Sequence, residues 1–454
     1  MLGAQLAALH DGALPGVDEA LDLIAGFDDA LVSGFARLGE ERAAALVALA
    51  GALGGTPLGP SAAEAAGKVT VGSITDEHLT TLAGARTALF GAVHDALLAR
   101  LDDALGRSRA DWEGTQPQSG DPLAGACRSW LAELAITGWR GVDHGLASSA
   151  DQAIQNLLAE PRLRRPAMLL DGLAAELRAS SPVGAMERLP ARRWADLWAR
   201  GLLLTRTGGL EATELVSGRL LPLGVDVHEH GTAVQIQIHA ILEPHGRLVR
   251  TSVAAAKVDT IAGPFVWQLL SSYPVLLDAL ARRLSLEVTD MPLLPSGDLL
   301  WHEGRASAGA YTDPFATARV QLTGAVSPAV PPLERHPVRI AEPVFVEGYK
   351  SDGKTLQLDG SGLAFDLDRL PQSGPLTPQL LKASTACIGL MRWDGGQWRL
   401  QPLAVQATVK KERLAVHNGD WALGPTDQKA RGSGAKAGDP VAVLKERAGR
   451  LLRR

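Results

Sequence analysis

The stretch Val225-Asp226-Val227-His228-Glu229-His230-Gly231-Thr232-Ala233-Val234-Gln235-Ile236-Gln237-Ile238-His239 decides how this chain is read. Val225, Val227, Val234, Ile236 and Ile238 alternate with Asp226, His228, Gln235, Gln237 and His239, and His230-Gly231 lies between the two runs. A period of two marks half-buried strands, so the stretch predicts a hairpin turning at His230-Gly231. That turn places His228 opposite Ala233 and His239 six residues further on. At about 3.4 Å per residue the two imidazoles would stand roughly 20 Å apart, too far to share a metal ion, and His230 is accounted for as a turn residue.

Upstream the rhythm is helical. Leu79, Leu82, Ala85, Leu89, Val93, Leu97, Leu101 and Leu105 recur in steps of three and four, after Ser73, Thr75, Asp76 and Glu77 as cap and acidic first turn. Leu31, Phe35, Leu38, Ala45 and Leu49 have the same spacing, Asp121-Pro122 resembles a cap with a first-turn proline, and Trp194 and Trp198 stand one turn apart. Residues 1–208 therefore predict an all-helical domain of five to seven helices. Downstream, 209–325 predicts a β-rich α+β module, with a third strand over Leu248–Val253, a helix over Pro264–Leu284 broken at Pro274, and a strand over Ala316–Leu322. A proline-rich linker (326–337) leads to a second β-rich module (338–423). Its strands are expected at Val338–Val346, Leu356–Leu367, Ile388–Trp393, Trp398–Val409 and Arg413–Val416, with a short helix at Thr377–Ala383. The fold class is α+β, closing with a disordered linker (424–438) and a basic amphipathic helix (439–454).

Composition narrows the function classes. The 454 residues carry a net charge of −5, which excludes a generally basic nucleic-acid binder. Cys127 and Cys387 are the only cysteines, so neither a disulfide framework nor a cysteine zinc knuckle is available. No run of 18 apolar residues exists, and Ala43–Leu53 reads as a buried helix. Without a basic leader at Met1, the expected location is cytoplasmic. Only ten of the 45 basic residues are lysine, and Ala, Leu, Gly and Arg dominate, as GC-rich bacterial genomes produce.

Catalytic motifs do not survive their context. Gly348-Tyr349-Lys350-Ser351-Asp352-Gly353-Lys354-Thr355 matches the GxxxxGK[ST] phosphate-loop pattern. That loop must run into a helix whose N–H groups hold the phosphates, whereas Leu356-Gln357-Leu358 alternates and stops at Gly360 and Gly362; a hairpin fits better. No GxSxG elbow occurs, Cys127 reads as a buried helix residue, and His302 and Glu303 would point to opposite faces of a strand. No cofactor is expected.

Two stretches carry contact candidates. In Met391–Leu400 a Gly395-Gly396 turn sets Trp393 against Trp398, Met391 against Leu400, and Arg392 against Arg399. The two guanidiniums either splay into water or meet an acid on a partner or a neighbouring domain. In the tail, Asp439-Pro440 opens a stripe of Val441, Leu444, Ala448, Leu451 and Leu452, with Lys445, Arg447 and Arg450 largely elsewhere. From Lys429 onward there are eight basic and two acidic residues. Such a tethered helix docks into a groove or onto an anionic surface, or folds back onto its own body.

Leu189–Trp198 and Arg392–Leu403 resemble segments of uncharacterised proteins of GC-rich bacteria encoded beside MoxR-type AAA+ ATPases, von Willebrand A-domain proteins and SWIM zinc-finger proteins. The resemblance spans 22 residues without a catalytic motif, and no functional residue is carried over. It implies an accessory or substrate-adaptor component of an ATPase chaperone system. The cysteines of a SWIM finger and a Walker pair are missing here. The expectation is thus a non-enzymatic adaptor whose partners are other proteins, an AAA+ ATPase or von Willebrand A-domain protein among them. Its candidate contacts are Val441, Leu444, Lys445, Arg447, Arg450, Leu451, Arg392 and Arg399. The competing expectation is an enzyme whose site is assembled from dispersed residues between the helical and β-rich parts. Nucleic-acid binding through the tail is weakest, because the acidic body repels phosphates.

Overall fold

The computed structural model describes residues 1–425 except 13, 112–120, 161–162, 208–213, 230–232, 245, 258–260, 262, 331, 335–339, 372–373 and 410–411. Its first half is helical: α1 (Gly3–His10), α2 (Val17–Ser33), α3 (Glu40–Gly51), α4 (Gly59–Thr70), α5 (Asp76–Leu105), α6 (Gly125–Thr137), α7 (His144–Ser148), α8 (Asp151–Ala159), α9 (Arg164–Ala179) and α10 (Ala191–Thr207). These ten exceed the expected five to seven, because several are only two or three turns long. The long helix α5 follows its stripe: the Thr75 hydroxyl accepts the His78 N–H at 3.2 Å, and Leu82, Leu97 and Leu101 are fully buried. The earlier stripe is split instead. Its Leu31 ends on α2, Phe35 lies in a 3₁₀ turn after Gly34, and Leu49 belongs to α3. α3 buries only one face, leaving Val47 exposed.

At the centre of this layer Arg86 on α5 is buried. It donates to both carboxylate oxygens of Asp28 on α2 (2.6 and 2.9 Å) and to Asp196 on α10 (2.5 Å). Trp194 and Trp198 lie on the core side of α10, with Arg192 and Arg193 exposed.

The β-rich half holds two barrels of one topology. In the first, β1 (Glu214–Glu229) pairs antiparallel with β2 (Ala233–Glu243), and β2 with β3 (Arg247–Ala256). β3 runs parallel to the end strand β5 (Asp298–Leu299), which is antiparallel to β4 (Leu284–Leu293), and β4 returns to β1. Helix α11 (Pro274–Arg282) leads from β3 to β4, its first-turn Pro274 breaking the 263–282 stretch, and β6 (Ala306–Tyr311) extends the β4 edge.

The second barrel repeats the circuit. β7 (Glu342–Glu347) and β8 (Lys350–Ser351) act as one bent strand. β8 pairs with β9 (Thr355–Leu358) and β9 with β10 (Ser361–Phe365); β10 runs parallel to β12 (Gln397–Val409), β12 antiparallel to β11 (Ser384–Asp394), and β11 returns to β7. Helix α13 (Pro378–Ala383) precedes β11 as α11 precedes β4, and β13 (Glu412–His417) extends β12. Both circuits have the strand order of a five-stranded Greek-key barrel of the OB type. In each, the first strand must bend to pair on two sides, and it does so at a glycine. A Cβ on Gly218 (φ +153°) would stand 2.3 Å from the Glu243 carbonyl oxygen, and Gly348 has φ +81°.

The hydrophobic cores group differently from the chain segments. The helical layer and the second barrel share one core, which holds Leu97 and Trp198 together with Val346, Tyr349 and Leu400. The first barrel has its own core around Trp267, Ile236 and Leu276. A third cluster joins the barrels: Leu223 and Ile241 of the first, Phe345 and Ile388 of the second, and Phe315, Ala318 and Leu322 between them. Those last three correct the strand expected over Ala316–Leu322. α12 (Pro314–Thr317) opens with the Asp313 carboxylate accepting the Phe315 N–H and runs on into a π-helical turn, Ala318–Leu322. Burial there follows Phe315, Ala318 and Leu322 at helical spacing, while Val320 is exposed. Past α5, Arg109 binds Asp102, Glu342 and the Ser327 carbonyl, tying the helical layer to the second barrel and to the segment that connects the two.

Candidate interaction site

The first concentration of chemistry lies between the barrels. Asp226 on β1 faces β11 and β12. Its Oδ2 accepts from Arg392 Nη2 at 2.9 Å and lies 2.9 Å from His228 Nε2, while its Oδ1 accepts from Gln401 Nε2 at 2.7 Å. Arg392 Nε and Nη2 also donate to Gln401 Oε1. Asp226 and Gln401 are each 1% exposed and Arg392 3%. Burial pushes the Asp226 carboxyl up, but the hydrogen bond and charge of His228, with the charges of Arg392 and His239, outweigh it and hold it well below the usual carboxylate range. An anion this fully engaged is a poor proton acceptor. Arg392 thus does not splay into water but meets an acid of the neighbouring barrel, Asp226, and its burial corrects its place among the partner contacts. Arg399, its cross-strand partner, is half-buried and its Nε meets no hydrogen-bond acceptor among the described residues.

The expected hairpin over 225–239 forms, with a register two residues away: His228 stands opposite Gln235, because the connection is longer than the two residues His230-Gly231. The gap from His228 to His239 shrinks to about 14 Å along the strand. A polar cavity of about 470 Å³ opens beside Asp226, His228, Glu229, Lys257 and Arg369. On its wall Lys257 pairs with Glu229, and Arg369 with Asp366.

The second concentration is apolar and lies on the surface. After β13 the chain makes a 3₁₀ turn, Asn418–Trp421, that is bolted to the first barrel. Arg283, at the C-terminal end of α11, donates to both Asp420 oxygens and to the Ala415 carbonyl. The Asn418 amide donates to the Val225 carbonyl, and the Asp420 carboxylate accepts the His417 N–H. His417 is buried against Phe315, and burial, helped by the Arg283 charge, pushes its imidazole down to about 3. Two clefts flank this turn. One, of about 610 Å³, is walled by Trp267, Pro274, Val275, Ala308, Ala422 and Leu423. The other, of about 810 Å³, is walled by Arg282, Arg283, Tyr311, Leu380, Leu414 and Trp421. Leu423, on the wall of the first cleft, and Tyr311 and Leu414, on the wall of the second, are 58%, 66% and 46% exposed.

Sequence reasoning missed both clefts. Trp267, Ala308 and Leu423 are distant in the chain, and only closure of the first barrel and docking of the last turn bring them together. The tail residues Val441, Leu444, Lys445, Arg447, Arg450 and Leu451 lie outside the described residues.

The remaining motif residues have structural partners. The 348–355 stretch is a hairpin, with Asp352 Oδ1 accepting the N–H groups of Lys354 and Thr355. Glu303 accepts from Val275 N–H and Trp301 Nε1, fixing the start of α11. The Cys127 thiol is buried and pushed up to about 11. Among the described residues no group of three or more His, Cys, Asp or Glu side chains is placed to hold a metal ion, and no helix is long and apolar enough to cross a membrane. No known protein family, curated protein or solved structure matches the chain.

Proposed function

We infer that this protein is a non-enzymatic adaptor that binds other proteins through the apolar surface around its last described turn. The observation that supports this is the pair of clefts beside Asn418–Trp421, whose exposed Tyr311, Leu414 and Leu423 ring a turn held rigid by Arg283 and Asp420. Large apolar and aromatic side chains on a preorganised frame are how protein contacts gain affinity. The resemblance of Leu189–Trp198 and Arg392–Leu403 points to an AAA+ ATPase or von Willebrand A-domain protein as partner. Affinity purification from the native cell with mass spectrometry tests the reading. The full chain should bring down one stoichiometric companion of that kind, and Leu414→Glu with Leu423→Glu should lose it. A companion-free chain, or equal recovery by the variant, would overturn it.

A second reading, an enzyme built from dispersed residues, has one observation in its favour. A cavity of about 510 Å³ lies between α1, α5 and the second barrel, with His10, Asp18, Arg100 and Trp393 on its walls. Small-molecule stabilisation of the full chain that Arg100→Ala abolishes would favour that reading.

A further inference from the structure

We propose that the cleft beside Leu423 is occupied in cis by this chain's own C-terminal segment, residues 439–454. The proposal rests on the adaptor reading only in treating the same surface as a docking site.

Four observations converge on this occupant. The first is position: Leu423 and Gly424 are themselves part of the cleft wall, and the described chain ends one residue later, at Pro425. The tail therefore starts at the rim of the cleft. The second is reach. Residues 426–438, which precede that segment, are 13 residues rich in Gly, Ala and Lys. Thirteen residues treated as a random chain have a root-mean-square span of about 20 Å and an extended limit near 45 Å, so any point of the cleft is within reach. Tethering at this distance raises the local concentration of the segment to the millimolar range, enough for a modest apolar contact to stay closed.

The third is pattern. Val441, Leu444, Ala448, Leu451 and Leu452 make a single apolar face in the helical reading, and a short helix with one apolar face is stable in water only when that face is covered. The cleft offers the matching surface: Trp267, Pro274, Val275 and Leu423, with small Ala308 and Ala422 between them. The fourth is overall charge. The chain carries −5 overall and Lys429–Arg454 carries +6, leaving −11 on residues 1–428. Asp278, the one charged residue on the wall of the cleft beside Leu423, is paired with Arg282, and in the neighbouring cleft Arg283 is paired with Asp420. The acid excess of the body as a whole draws the basic segment back onto it, and the position of Leu423 and Gly424 selects the cleft. The partner of the adaptor reading must then displace the tail or engage the neighbouring cleft.

The test uses the full chain and needs no partner. Cysteine pairs are introduced as Ala308→Cys with Leu451→Cys, and as Leu414→Cys with Leu451→Cys for the neighbouring cleft. Under mild oxidation the first pair should cross-link within one chain, at a rate independent of protein concentration and roughly tenfold or more above the second. Equal rates, or cross-links formed only between chains, would overturn the proposal. Hydrogen exchange over 263–278 gives an independent reading. Leu444→Asp with Leu451→Asp should speed exchange there several-fold, and unchanged exchange would count against cis docking. Because both measurements use the isolated chain, their failure would leave partner capture standing, and failure of capture would leave them standing.

Discussion

The two barrels follow the same circuit of strands, yet one is fused to the helical layer and the other stands apart from it. In the second barrel α1 and α5 pack over the β9–β10 side, and the barrel interior merges with the helical core through Val346, Tyr349 and Leu400. In the first barrel the corresponding β2–β3 side carries Gln235, Gln237 and Ser252 at or near the surface, and the interior closes on itself around Trp267. One topology can thus serve as a structural foundation in one copy and as a platform with free surface in the other. What differs is which outward positions are apolar, not how the strands are wound.

The sharpest way to break this comparison is at the joint between the barrels. Arg392→Met leaves Asp226 buried without its guanidinium, and the expected loss is about 3–5 kcal/mol. The first barrel should then unfold in urea before the helices and the second barrel, giving two transitions. A single unchanged transition would mean that the joint carries no load. The glycine bends give a graded comparison. Gly218→Ala should cost about 2–3 kcal/mol, because the new methyl meets the Glu243 carbonyl, whereas Gly348→Ala, with open space around it, should cost about 1 kcal/mol for its positive φ. Equal losses would show that the two first strands bend for different reasons.

His417 supplies a smaller, pH-dependent effect. Its imidazole titrates near 6.5 in the unfolded chain and at about 3 when folded. Between those values the unfolded chain binds the extra proton, so stability is full above pH 6.5 and falls as the pH drops toward 3. The expected loss is on the order of 1 kcal/mol by pH 5.5. His417→Leu should flatten that limb of a stability–pH curve by about one proton; an unchanged slope would place the acid sensitivity elsewhere.

Much of the fold was legible because it is written in local periodicity. The α5 stripe with its Thr75 cap and the hairpin that sets Trp393 against Trp398 form as their spacing predicts, and two antiparallel strands form over 225–239, though Asp226 and His239 on their polar face are buried rather than solvated. The exceptions have identifiable causes. Ala316–Leu322 alternates like a strand, but Asp313 and Pro314 start a helix there, and Phe315 and Leu322 fill the space between the barrels. The register of the 225–239 hairpin slipped by two because connection length, not composition, sets it.

By itself, then, the sequence determined the switch from helical to alternating rhythm, the positions of most strands, and the absence of a disulfide or cysteine-metal framework, since each depends on residues close in the chain or on simple counts. The tertiary structure alone decided that the two β units share one circuit and that Asp226 meets Arg392 166 residues away. It alone gathered Trp267, Ala308 and Leu423 around one cleft. Strand order and ion-pair choice are set by which surfaces exclude water together, and that depends on the packed whole rather than on any one segment.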